Sequence, residues 1–217
     1  YDMSKHRFSR IQTNGKVATP YVEEPVVLNA YLTMKCNMNC MHCVTKDFDR
    51  KDDLVVSTEL IDWINRSDHF MVMVITGGEP LLPEYENQLI RLLRETHNKG
   101  LIIDTNGTIF PSQSVIEAIL NTNALVRISW DTTHPKGEMY FRHVKPLTER
   151  NYQENYKWYE KKRDMIPHFR SAGVNLAIQS VVTKRNLESI FDMPEVLRRF
   201  SINQWYIQRF IPSHKAT

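Results

Sequence analysis

The three cysteines of this 217-residue chain fall within eight positions, as Cys36-Asn37-Met38-Asn39-Cys40-Met41-His42-Cys43. Three thiolates at that spacing form a tripod for a [4Fe–4S] cluster, which takes four ligands. One iron is then left for a ligand other than cysteine, and a cluster with an exchangeable iron can do chemistry as well as carry electrons. A structural Zn²⁺ site with His42 as fourth ligand is the alternative these residues leave open. Zinc sites prefer paired ligands from two separate knuckles, whereas Cys40, His42 and Cys43 crowd into four positions.

Such a loop needs elements to hold it, and the rest of the sequence alternates strand and helix patterns. A first strand is expected over 26–33, with Val27, Asn29, Tyr31 and Thr33 on one face. The cysteine loop follows, then a helix with Ser57 as N-cap and Leu60, Ile61 and Ile64 on one stripe. The apolar run 71–75 reads as a buried parallel strand. A helix over 84–98 carries Leu89, Leu92 and Leu93 inward and stops at Lys99-Gly100. Strands at 101–103 and 125–129 flank a helix over 112–120. After a long polar stretch, Tyr152, Tyr156 and Tyr159 recur at helical spacing. Gly173 opens a strand over 174–182, a helix over 187–200 follows, and a last strand at 204–210 has no helix after it.

Strand–helix pairs with short connections predict a parallel sheet with right-handed crossovers. The fold class expected is α/β, an open six-stranded (β/α)6 partial TIM barrel with outer helices, neither a closed eight-stranded barrel nor a Rossmann sheet. Residues 1–25 read as an irregular lead-in and 26–217 as one core domain. The chain begins with Tyr1 rather than Met, so residues are expected to precede it. No apolar stretch is long enough for a membrane span and no signal peptide is visible. Three clustered cysteines without a fourth argue against a disulfide framework and suit a cytoplasmic location. A net charge of +3 is too small to indicate a nucleic-acid partner.

In barrels of this kind chemistry lies where strands end at their carboxyl edge. There the sequence places Thr76-Gly77-Gly78-Glu79-Pro80, Asp104-Thr105-Asn106-Gly107, Ser129-Trp130-Asp131, Gln179-Ser180 and Gln208-Arg209. Three of these segments have local alternatives: a tight turn for Gly77-Gly78, a helix cap for Glu79, a turn signal for Asn106-Gly107, a satisfied core amide for Gln179. Together they converge on one rim.

These residues carry a resemblance. The Cys36-x3-Cys40-x2-Cys43 loop after the first strand, Gly77-Gly78-Glu79-Pro80 after the second and Asn106-Gly107 after the third are similar to radical S-adenosylmethionine (radical SAM) enzymes over about 26–212. The pattern is nearest the peptide-modifying (SPASM/twitch-like) subgroup, without the cysteines of its auxiliary clusters. The resemblance implies that Cys36, Cys40 and Cys43 hold a [4Fe–4S] cluster. It also implies that S-adenosyl-L-methionine (SAM) is cleaved reductively to a 5′-deoxyadenosyl radical, in an oxygen-sensitive protein fed by a flavodoxin- or ferredoxin-like donor. His42 occupies the aromatic slot near the adenine; Gly77 and Gly78 let carbonyls approach the cofactor ammonium, to which Glu79 adds negative charge. Thr105 and Asn106 would lie near the ribose or methionyl part. Ser129 and Asp131 resemble the Ser-x-Asp after strand four, with Thr132 where glycine is usual. Arg142 would hold the carboxylate unless it is a surface arginine, and Gln179 and Arg209 complete the expected cofactor set. Phe210 to Lys215 resembles a Pro-Ser-Gly-Arg segment, with His214 and Lys215 replacing Gly-Arg. Residues 140–163 mix Tyr, Trp, Lys and Arg and suit either a substrate grip or core packing. With no cysteine to spare, epimerisation, crosslinking or rearrangement of a peptide or protein is the expected work. The alternatives are a radical SAM activase or small-molecule or nucleotide enzyme, and a non-catalytic iron–sulfur or zinc module.

Overall fold

A computed structural model describes residues 27–47 and 53–210. The expected lead-in, and the 210–215 segment beyond Phe210, lie outside them. Six parallel strands form one sheet in sequential order, β1 (Val27–Thr33), β2 (Val72–Gly77), β3 (Gly100–Thr105), β4 (Leu125–Ser129), β5 (Leu176–Val182) and β6 (Gln204–Arg209). Because every crossover has one hand, the helices share one face of the sheet. This is the open partial barrel that the strand–helix alternation predicts.

Helix α1 (Thr58–Arg66) starts where the Ser57 hydroxyl accepts the Leu60 N–H, and it buries Ile61 and Ile64. Helix α2 (Glu86–Glu95) buries Leu89, Leu92 and Leu93. Helix α3 (Gln113–Thr122) is capped by Ser112 and ends at the left-handed Asn123. These stripes pack on the outward side chains of the strands, Leu32, Met73, Ile75, Ile103, Val126, Ile128 and Ile178 among them, to form the core. The concave side is different. Alternation and register put Tyr31 opposite Thr76, Asp104 opposite Arg127, Ser129 opposite Gln179 and Gln179 opposite Tyr206 on that face, so it is polar.

Some boundaries differ from the sequence pattern. The helix after β2 is shorter than expected: Pro83–Tyr85 form a 3-10 turn, α2 ends at Glu95, and Gly100 is the first residue of β3, paired with Val72. The polar stretch after β4 holds a helix, α4 (Pro135–Phe141), which buries Glu138 beside Met139 and Phe141; that charge hides its apolar stripe. Helix α5 (Tyr152–Ser171) buries Tyr159, and Tyr152 and Tyr156 pack against the core, so the tyrosine series is packing. Pro194 interrupts the predicted 187–200 helix, leaving a 3-10 turn at Ser189–Asp192 and then α6 (Met193–Arg199), because proline has no N–H for the preceding turn. Among the described residues no helix is long and apolar enough to cross a membrane.

Candidate active site

The cysteine loop takes its shape from backbone bonds to two remote segments. On one side Gly78 N–H donates to the Thr33 carbonyl (2.6 Å) and Glu79 N–H to that of Lys35 (2.8 Å). A Cβ on Gly77 would lie 2.1 Å from the Thr33 oxygen, and one on Gly78 1.9 Å from the Lys35 oxygen; Gly77 also has φ +128°. Only glycine lets the β2 turn run this close to the loop. On the other side, Asn39 and Met41 N–H donate to the His143 and Phe141 carbonyls at 2.6 and 2.8 Å. The side chain of Asn106 donates to Asn37 (2.9 Å) and reaches Cys36 Sγ at 3.7 Å, while its Oδ1 accepts the Thr108 N–H. The Asn106-Gly107 turn and a role beside the cysteines are thus the same feature.

All three cysteines border one cavity at the carboxyl end of the sheet. Cys36 is exposed as a residue, yet burial around its sulfur pushes the thiol up to about 12, and burial raises Cys40 as well. Iron must therefore displace protons to bind here. Among the described residues, no three His, Cys, Asp or Glu side chains converge as ligands of a single metal ion.

Glu79 does not border this cavity. It is 0 % exposed, and its carboxylate accepts the Leu81 N–H (3.0 Å), the Thr105 hydroxyl (2.8 Å) and the Asn106 N–H (2.7 Å). Burial outweighs those three bonds and lifts its pKa to about 7. Rather than offering charge to a ligand, Glu79 ties the end of β2 to the end of β3.

Asp131 plays the matching part on β4. Its carboxylate receives Arg142 Nε (2.7 Å) and Nη2 (3.2 Å) and the Val181 N–H (2.8 Å), with His42 Nε2 3.3 Å away. Burial alone would raise its pKa, but the Arg142 guanidinium and then His42 hold it below the usual carboxylate range. Burial also works against the charge of Arg142, and Asp131, Cys40 and Glu138 more than restore it, raising its pKa. Glu138 pairs with the buried Lys162 of α5 and accepts the Asp131 and Thr132 N–H groups at 2.9 and 3.1 Å. Thr132 bonds through its hydroxyl to Ser189 and has no positive φ, so the turn does not require glycine there. Arg142 is a buried cation at the cavity wall, not a surface residue.

Of the predicted cofactor residues, the structure brings His42, Gly77, Gly78, Thr105, Asn106, Ser129, Arg142 and Gln179 to the cavity with the cysteines. Glu79 and Asp131 stand behind that lining and hold it. Arg209 is elsewhere: one position from Gln208, which borders the cavity, its side chain alternates to the opposite face and is exposed. The cavity also takes in Thr76, Asp104 and Gln208, which belong to the strand-end motifs but were not among the expected cofactor residues, and Tyr31, which lies outside those motifs. The sequence signal for them was polar side chains at concave positions of strands.

A family model, the Radical SAM superfamily, matches residues 31–193. The chain belongs to this superfamily. The AdoMet-dependent heme synthase of Oleidesulfovibrio alaskensis is 24 % identical over 193 residues, which is 85 % of this chain and 45 % of that protein. The probable GTP 3′,8-cyclase of Methanocaldococcus jannaschii is 31 % identical over 114 residues, 50 % of this chain and 37 % of its own length. Among solved structures, Streptococcus suis SuiB bound to S-adenosylmethionine has the same fold, with TM-score 0.68 and 19 % identity over 89 % of this chain and 43 % of SuiB; SuiB has also been solved with its precursor peptide SuiA. The chain thus spans under half the length of these relatives. Radical SAM enzymes use a [4Fe–4S] cluster and SAM, and the lining of this cavity suits both: three thiols border it, with the Arg142 guanidinium and the glycine pair beside them. The buried Gln179 Oε1 has no hydrogen-bond partner among the described residues, so an acceptor is left for a bound molecule.

Proposed function

We propose that this protein is a radical SAM enzyme that modifies a peptide or protein by epimerisation, crosslinking or rearrangement. Cys36, Cys40 and Cys43 would ligate the cluster, and the cavity beside them would take SAM. When bound, the two supply hydrogen abstraction from an unactivated carbon. The chain's own residues bind and orient. Arg142, fixed by Asp131, presents its remaining donors to a carboxylate at the cavity wall. Ser129 and Asn106 also border the cavity, and His42 closes the wall against Asp131. The observation that carries the proposal is the meeting of three thiols, the glycine pair, Asn106, Ser129 and Arg142 at one cavity.

The peptide substrate is supported by the shared fold with SuiB, solved bound to precursor peptide SuiA. A one-electron donor of the flavodoxin or ferredoxin kind is the partner this chemistry needs. A small-molecule substrate is the second reading, favoured by the names of the curated relatives, a heme synthase and a GTP cyclase. Anaerobic reconstitution with iron and sulfide, then dithionite and SAM, should yield 5′-deoxyadenosine by chromatography. Protein carrying four irons that makes none would falsify the catalytic proposal.

A further inference from the structure

The floor of the cavity, below the residues expected to hold the cofactor, contains a second charged assembly. Asp104 accepts Arg127 Nε at 2.6 Å and Nη2 at 2.8 Å, one donor on each carboxylate oxygen. Tyr206 covers the guanidinium, its ring centroid 4.8 Å from Arg127 Cζ. Only the acidic member borders the cavity, and its side chain is 18 % exposed against 10 % for Arg127. The pair therefore presents its carboxylate first, each oxygen keeping a free lone-pair direction. Tyr31 stands beside it: burial, then the charge of Asp104, raises its pKa, so it meets the cavity as a neutral hydroxyl. The remaining floor groups are the uncharged Thr76, Gln208 and Gln179, whose Oε1 is the partnerless acceptor. The cationic Arg142 of the lining is turned to Asp131, and so is the ring of His42.

A floor of this make-up offers acceptors to an N–H, and because Arg127 is spent on Asp104 it gives an anion no free cation. We propose that Asp104 and Gln179, with Tyr31 beside them, form a substrate subsite that takes the N–H of a peptide amide and turns away phosphate and carboxylate groups. Arg127 and Tyr206 are positioning residues that fix the carboxylate. This rests on the radical SAM reading for the placing of the cofactor above the floor. It favours the peptide over substrates that would present phosphates or carboxylates here.

The test is saturation-transfer NMR on the anaerobically reconstituted, SAM-bound protein with four probes: N-methylacetamide, N,N-dimethylacetamide, acetate and methyl phosphate. Wild-type protein should prefer the N–H amide over the dimethyl amide and over both anions by about tenfold, the scale of a hydrogen bond to a charged acceptor. Asp104→Asn should erase the preference over the anions. If Asp104→Asn fails to fold, Asp104→Ala with Arg127→Met removes both charges and should erase it too. Equal binding of the two amides, binding of methyl phosphate at least as tight as the amide, or a preference unchanged in the variants overturns the proposal. The same samples given dithionite report 5′-deoxyadenosine, so a failed radical reading shows as no product whatever the probe preference.

Discussion

On the β2–β3 side of the rim, Glu79 accepts three hydrogen bonds and has no ion-pair partner among the described residues. On the β4–β5 side, Asp131 and Glu138 tie strand ends in the same way, but with Arg142 and Lys162 against them. The first carboxylate is pushed towards neutrality, the other, Asp131, held ionised. Both halves spend backbone N–H groups on a buried acid, yet only one depends on charge. The half that carries the glycines and cysteines is thus built from close backbone contact, and the half that carries Arg142 from an ionic lattice whose members strand one another when removed.

The largest effect should come from breaking that lattice. Lys162→Met leaves Glu138 buried with only Arg142, 3.8 Å away, against its charge and should cost about 3 kcal/mol in chemical denaturation. Glu79→Gln, which loses one hydrogen bond of a group that neutralises easily, should cost about 1–2 kcal/mol; equal losses would erase the contrast. The pH dependence sharpens it further. Glu79 has a folded pKa of about 7 against an ordinary 4.5, so between those values the folded state holds more protons than the unfolded one. Stability from this group falls as pH rises across that window, by up to about 3 kcal/mol, and Glu79→Gln should flatten the slope in urea titrations. Asp131 runs the other way: its folded pKa lies below the ordinary 3.8, so its contribution is present above that value and is lost as pH falls through the folded pKa. Gly78→Ala forces a methyl group onto the Lys35 carbonyl and should cost about 1–3 kcal/mol, with less iron and sulfide bound per chain. Arg209→Ala, on the exposed outward face of β6, should change stability by less than about 0.5 kcal/mol and leave 5′-deoxyadenosine formation intact.

The order of strands was readable because the signals are local. Met73 to Ile75 form an uninterrupted apolar run, and Ser57 and Ser112 announce their helices. The cysteine loop and the glycine pair were readable because their residue types have few other uses at that spacing. What Glu79 touches was not. A carboxylate after two glycines looks alike in sequence whether it faces a ligand or the backbone of the next strand, and only the packing of Thr105 and Asn106 over it decides. Helix α4 escaped because Glu138 sits where an apolar residue would mark the buried stripe, its partner Lys162 lying on another helix. The pairing of Asp104 with Arg127 was hidden for the same reason: it runs across strands, not along the chain.

The backbone bonds from Asn39 and Met41 to the carbonyls of His143 and Phe141 bear on assembly. The thiol-bearing turn borrows half its mould from a segment made only after β4, so it cannot take shape while the early strands alone are folded. In the finished fold the thiols are thus presented by a turn moulded from two distant parts of the chain.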